Sequence, residues 1–161
     1  MLIENVTAMM NKSLAEHDDI RTALGIISGC PLFGRETRSA ALGEISEHLI
    51  ARMENGERRP NGNKGYDVVD AQGAMIEVKS RLTGRWGDTL MFDFRPHTAS
   101  ATKAFCVAWD DKSDPASIYE AYVIPVSVLV SRWGGAQSRK FCARTNLKKL
   151  RQAWKAGETV G

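Results

Sequence analysis

Residues 66–81 read Tyr-Asp-Val-Val, Asp-Ala-Gln-Gly, Ala-Met-Ile-Glu-Val-Lys-Ser-Arg. Two runs rich in β-formers flank a four-residue polar stretch that ends in glycine, so the segment predicts a hairpin with a turn at Asp70–Gly73. Side chains alternate between faces along a strand. Glu77 and Lys79 therefore share one face, while Ile76 and Val78 enter the core from the other. Asp67 lies on the partner strand, near enough to Glu77 to share a ligand with it.

On the N-terminal side, Leu42, Ile45, Leu49 and Met53 fall at helical spacing and predict a helix over 37–54, which Asn55-Gly56 ends. An amphipathic helix is expected over 1–24, with Leu2, Val6, Met9 and Met10 on one side, broken by Gly25 and Gly29-Cys30-Pro31. A polar loop follows from Glu57 to Lys64. On the C-terminal side, strands are expected at 89–95, 103–109 and 118–124, with a short helix at 97–103. Pro125 opens a helix to Trp133, and Thr145 or Asn146 caps a last helix running to about Trp154. This order predicts an α/β (α+β) fold, a mixed central sheet flanked by helices. The chain has the length of one domain. We divide it into an N-terminal helical extension (1–30), a catalytic core (36–125) and a basic C-terminal segment (126–161).

Composition narrows the class. No apolar run approaches the ~20 residues of a membrane helix. Cys30, Cys106 and Cys142 are too few and too scattered for a disulfide framework or a zinc site, which suits a cytoplasmic protein with reduced thiols. Net charge is only +3, but residues 132–161 hold eight Lys and Arg against a single acid, Glu158. A basic end on a slightly acidic body suits a polyanionic partner. No glycine-rich phosphate loop of the ATP-binding kind is present.

Hydrolysis of a phosphodiester needs an activated water, charge neutralisation at the phosphate and help for the leaving oxygen. A hard divalent cation such as Mg²⁺ on a few carboxylates meets these needs. Asp67 and Glu77 supply two acids, and Lys79 could orient the water or offset developing charge. These groups are expected on an exposed sheet edge.

Gly65-Tyr66-Asp67-Val68-Val69-Asp70, Gly73 and Ile76-Glu77-Val78-Lys79-Ser80-Arg81 together resemble the paired strands of PD-(D/E)XK restriction-endonuclease-like nucleases. Gly43-Glu44-Ile45-Ser46-Glu47-His48-Leu49-Ile50 resembles that family's first, acid-bearing helix. The likeness runs on more weakly through Phe105–Asp111 and Tyr119–Pro125, and so spans residues 40–125. Tyr66 stands where the motif has its proline. The resemblance implies an αβββαβ core and Mg²⁺- or Mn²⁺-dependent DNA cleavage. It makes Asp67 and Glu77 metal ligands, Lys79 the catalytic lysine and the Val78 carbonyl a further metal donor. Of the two helix acids, Glu47 borders a buried surface and Glu44 a more polar one, which favours Glu47 as the outer ligand.

Ser80, Arg81 and Arg85 follow the catalytic strand and are candidate phosphate contacts, as are Lys148, Lys149 and Arg151 on the last helix. Trp86 suits either nucleic acid or the core. His17, His48 and His97 show no metal-ligand spacing. The activity expected is endonucleolytic, in restriction, repair or defence. Alternatives are a catalytically silent DNA-binding or assembly module and an RNA-cleaving enzyme. A homodimer built on the Leu2, Val6, Met9, Met10 side would place two sites for two strands.

Overall fold

A computed structural model describes residues 2–59, 66–95, 98, 100–137 and 140–160. It is a mixed α/β fold. Along the chain come β1 (Glu4–Asn5), α1 (Thr7–Glu16), α2 (Asp18–Gly29), α3 (Arg35–Met53), β2 (Glu57–Arg58), β3 (Val68–Val69) and β4 (Met75–Leu82). A 3₁₀ turn (Gly87–Thr89), β5 (Met91–Phe94), β6 (Lys103–Asp110) and β7 (Ser117–Pro125) follow. The chain closes with α4 (Val126–Trp133), β8 (Gly134–Gln137), β9 (Lys140–Asn146) and α5 (Leu147–Val160).

Six strands form the main sheet in the order β1-β7-β6-β4-β3-β2. β4 and β6 run parallel, with Glu77 beside Ala104 and Lys79 beside Cys106, and the other pairs are antiparallel. The expected hairpin is present: Val68 faces Ile76, and the turn is closed by Gly73 N–H donating to the Asp70 carbonyl, with Gly73 at φ +85°. A positive φ costs glycine nothing, which is why the turn ends on that residue.

β6 shows how the sheet is sandwiched. Its large residues Phe105, Val107 and Trp109 enter one apolar cluster with Met10, Leu24, Leu42 and Leu49 of the first three helices. Its small residues Ala104, Cys106 and Ala108 face the other way, where Phe92, Phe94, Leu129, Leu147 and Leu150 pack closely. A strand covered on both faces carries apolar side chains at every position, and all six are essentially fully buried. Trp109 donates its Nε1–H to Ser46 Oγ at 2.9 Å, and Ser46 in turn donates to the Leu42 carbonyl at 2.7 Å. The one polar atom of the indole is thereby satisfied inside the core.

Several expectations are corrected. The N-terminal helix over 1–24 is a short strand and two helices meeting at His17, and Gly25 lies within α2 rather than ending a helix. Val6 and Met10, half of the side expected to form a dimer interface, are buried in the chain's own core, leaving Leu2 and Met9 exposed. The strand expected at 89–95 forms as β5 but leaves the main sheet. It pairs with β9 in a second, three-stranded sheet ordered β5-β9-β8, whose β8–β9 hairpin the sequence reading lacked. The stretch expected as a polar loop opens with β2 at Glu57–Arg58, paired to β3, while residues 60–65, including Gly65 of the motif, lie outside the described residues. The expected helix at 97–103 falls partly outside them too, as does His97, and from Lys103 the chain is strand.

α3, β4, β6, β7, α4 and α5 stand where expected. Asn146 is the cap of α5, accepting from Lys149 N–H at 2.9 Å. All three cysteines are free. No helix among the described residues is long and apolar enough to cross a membrane.

Candidate functional site

The main sheet opens just ahead of β3, at Asp67. Asp67 N–H donates to the Ile76 carbonyl at 2.8 Å, and Asp67 Oδ2 accepts from Val78 N–H, also at 2.8 Å. A side chain thus takes over one rung of the ladder just before the chain joins β4 as β3. Among the described residues no strand pairs with β4 on that side beyond Ile76. The gap is occupied by α3, whose Ser39, Ala40 and Gly43 have short side chains. A groove of about 360 Å³ results, lined by those residues, Glu44, Glu47 and β4 residues 78–81.

Acids converge at the head of this groove. Glu77 of β4 is only 5% exposed, so the expectation of an exposed edge is corrected for this residue. Its Oε1 lies 3.6 Å from Lys79 Nζ, and Lys79 also sits over the Phe94 ring at 5.9 Å. Glu47 of α3 reaches in from the opposite wall. Asp67 lies close enough to both glutamates for its charge to act on each.

The electrostatics follow from this crowding. Burial, then the neighbouring Asp67 charge, pushes Glu77 up to about 7, with Lys79 pulling the other way. Burial and then Asp67 also push Glu47 up to about 7, opposed by Arg58. Arg58 Nε lies 3.2 Å from Glu47 Oε2, and its Nη2 lies 3.4 Å from Glu44 Oε1. Glu44, 53% exposed, stands outside the cluster that Glu47 joins. Among the described residues, no three such side chains form a finished ligand set. Asp67 is turned to a backbone amide, Glu47 to Arg58 and Glu77 to Lys79.

The donors nevertheless fit a hard divalent cation in kind: three carboxylates, with the Val78 peptide lining the same groove. Two of the three are held near neutrality by their surroundings, a condition that a bound cation relieves.

The remaining candidates separate. Ser80 and Arg81 line the groove, and Arg81 is exposed, its guanidinium donating to the carbonyls of Met91 and Ser80. Arg85 and Trp86 are exposed, with the guanidinium 5.0 Å from the ring centroid, so Trp86 is not a core residue. His17 donates through Nδ1–H to the Ser13 carbonyl at 2.6 Å, and His48 is exposed.

Arg151 has a different role from the one expected. It bonds Glu120 through Nε at 2.9 Å and Nη2 at 2.5 Å, and Asp88 through Nη1 at 3.0 Å. Its charge is committed to this internal network, which Tyr122 joins by donating to Glu120 at 2.6 Å. Lys148 and Lys149 remain exposed. Arg151→Ala is accordingly expected to cost about 2 kcal/mol, because it strands a nearly buried Glu120. Thermal melting checks this. Lys148→Ala and Lys149→Ala should leave the melt within about 0.5 kcal/mol. On the reading that this helix meets DNA, they should instead flatten the salt dependence of DNA affinity by roughly one unit per lost phosphate contact.

The sequence reading missed Arg58, the counter-charge to both helix acids. It sits on a two-residue strand within a polar stretch, where no periodic pattern marks it. Phe94 beneath Lys79 was likewise hidden, because it comes from the second sheet. No protein-family model matches this chain, and no curated protein sequence matches it.

Proposed function

We propose that the chain is a divalent-metal-dependent nuclease of the PD-(D/E)XK type that hydrolyses DNA phosphodiester bonds. The observation that carries this reading is the meeting of Glu47, Asp67 and Glu77 at the head of an open groove, with Lys79 beside Glu77. The succession α3, β2, β3, β4, a crossover and the parallel strand β6 supports a restriction-endonuclease-like core, although its third strand is β4 and not the 89–95 segment.

In this reading Asp67, Glu77 and the Val78 carbonyl hold Mg²⁺ or Mn²⁺, with Glu47 as an outer partner. The bound cation supplies charge neutralisation at the phosphate and a more acidic water. Lys79 supplies what the chain itself contributes to the reaction. Its ammonium, confined between Glu77 and the Phe94 ring, is placed to orient the attacking water and to offset charge on the phosphate oxygens. Asp67, fixed by the Val78 amide, sets the position of the cluster relative to β4. Arg81 and Ser80, further along the groove, serve the backbone of the bound strand.

One observation favours a second reading. Arg58 already neutralises the helix acids, as it would in a silent DNA-binding module that keeps its cluster shut. Incubation of the purified protein with DNA and with RNA, in Mg²⁺, Mn²⁺ and EDTA, separates the readings. Cleavage of DNA that stops in EDTA is the expected result. Preferred cleavage of RNA would move the substrate class. Cleavage undiminished by EDTA, or no cleavage of either polymer, would remove the proposal.

A further inference from the structure

A second and larger cavity lies beside the acid groove. It measures about 580 Å³ and is lined by Arg35, Arg81, Leu82, Trp86, Leu90 and Met91, among others. Ser39 and Arg81 line both cavities, so the two adjoin. This volume lies within the ~300–1,000 Å³ range of small-ligand pockets. The chemistry of its walls is specific. Leu82 and Leu90 are buried, Arg81 stands at one side, Arg35 at another is paired with Asp111 at 2.8 Å, and no carboxylate is among the described lining residues.

Trp86 is the feature that needs a reason. It is 57% exposed, the most exposed of the large aromatic side chains of the described residues, although an indole gains much from burial. Its position is nonetheless tightly set. Trp86 N–H and Gly87 N–H both donate to the Thr83 carbonyl at 3.1 Å, and the Trp86 carbonyl accepts from Thr89 Oγ1 at 2.8 Å. Gly84 and Gly87 take positive φ values of +45° and +51° to shape this turn. At Gly84 a β-carbon would lie 2.7 Å from the Arg35 guanidinium, so glycine there lets Arg35 lie across the turn. A hydrogen-bonded turn that leaves an indole largely exposed, with the Arg85 guanidinium 5.0 Å from the ring and an apolar floor beside it, matches the needs of a base with its phosphate.

We propose that this cleft seats one unpaired nucleobase of the bound DNA strand, stacked on Trp86, with Arg81 at the phosphate that leads into the acid groove. The inference rests on the nuclease reading for the direction of the strand, and it deepens that reading by assigning the substrate class. The preferred DNA carries a single-stranded segment next to the cut, as at an end, flap or gap, because a base inside an intact duplex is not free to stack on a side chain.

Fluorescence anisotropy of labelled oligo-dT and of a labelled blunt duplex, both in EDTA, tests the inference without cleavage. Trp86→Ala should weaken oligo-dT binding about tenfold, the worth of one stacked base. Trp86→Phe should retain most of the affinity, and blunt-duplex binding should change less than about twofold. An unchanged thermal melt would show that the loss is not one of folding. Oligo-dT affinity insensitive to Trp86→Ala, an equal loss for oligo-dT and duplex, or no binding of oligo-dT by the parent protein would each overturn the inference. Trp86-dependent binding by a protein that never cuts DNA would sustain it and reject the nuclease reading instead.

Discussion

Asp67→Ala, Glu77→Ala and Lys79→Ala are each expected to lower the rate of DNA cleavage by roughly three orders of magnitude, the range found for groups that stabilise charge or move protons in a transition state. The reason differs for each. Glu77→Ala removes the buried acid at the centre of the cluster. Asp67→Ala removes the side chain whose charge acts on both glutamates and also strips the Val78 amide of its acceptor. Lys79→Ala removes the cation 3.6 Å from Glu77 on β4. Glu47→Ala should cost more than Glu44→Ala, since Glu47 meets Asp67 while Glu44 is mostly exposed. Single-turnover cleavage, with folding confirmed by circular dichroism, measures all of these. Near-parental activity in any one of the first three would strike that residue from the site, and a larger loss for Glu44→Ala would reassign the helix ligand.

The same residues should be a burden to the fold when no cation is bound. Glu47 and Glu77 are each held at about 7 in the folded chain, against an ordinary value of 4.5. As pH rises past 4.5 the unfolded chain releases these protons while the folded chain retains them. The folded state then binds more protons than the unfolded one, so stability falls with pH. The contribution is complete below about pH 4.5 and is lost as pH passes through 7. In metal-free buffer the loss between pH 5 and pH 8 should be on the order of 2 kcal/mol, or some 4–8 °C in melting temperature for a chain of this size. Mg²⁺ or Mn²⁺ at pH 8 should recover part of it. Glu77→Gln, which cannot ionise, should be inactive yet melt above the parent at pH 8 without metal. Should it melt below the parent there, the cluster carries no such strain.

Legibility from sequence followed the range of the interactions. The Asp70–Gly73 turn, the alternation in β4 and the apolar stripe of α3 are local patterns, and each formed where the residues placed it. Asp67, Glu77 and Lys79 were legible because two of them share a strand face and the third lies one hairpin arm away. Contacts between distant segments were not legible. β5 carries the alternating pattern of a sheet strand, but nothing local says which strand it joins, and its partner β9 lies some fifty residues on, in a stretch read only as basic. Arg151 misled for a related reason. A cation among cations on a helix reads as solvent-facing, and its acids, Glu120 and Asp88, come from β7 and the 3₁₀ turn. The N-terminal helix was read as one because its apolar spacing continues almost unbroken, while the change of direction at His17 is set by packing on the sheet.

The Arg151 network also ties the last helix to the turn that carries Trp86. Asp88 lies two residues after Trp86, in the turn that holds the indole out, and Arg151 reaches it from the final helix across 63 positions of sequence. The last helix is therefore a strut for the Trp86 platform as much as a cover for the core. Trimming the chain back to Asn146 would loosen a turn far away from the cut, and the stiffness of the cleft beside the acid groove is set by the chain's final segment.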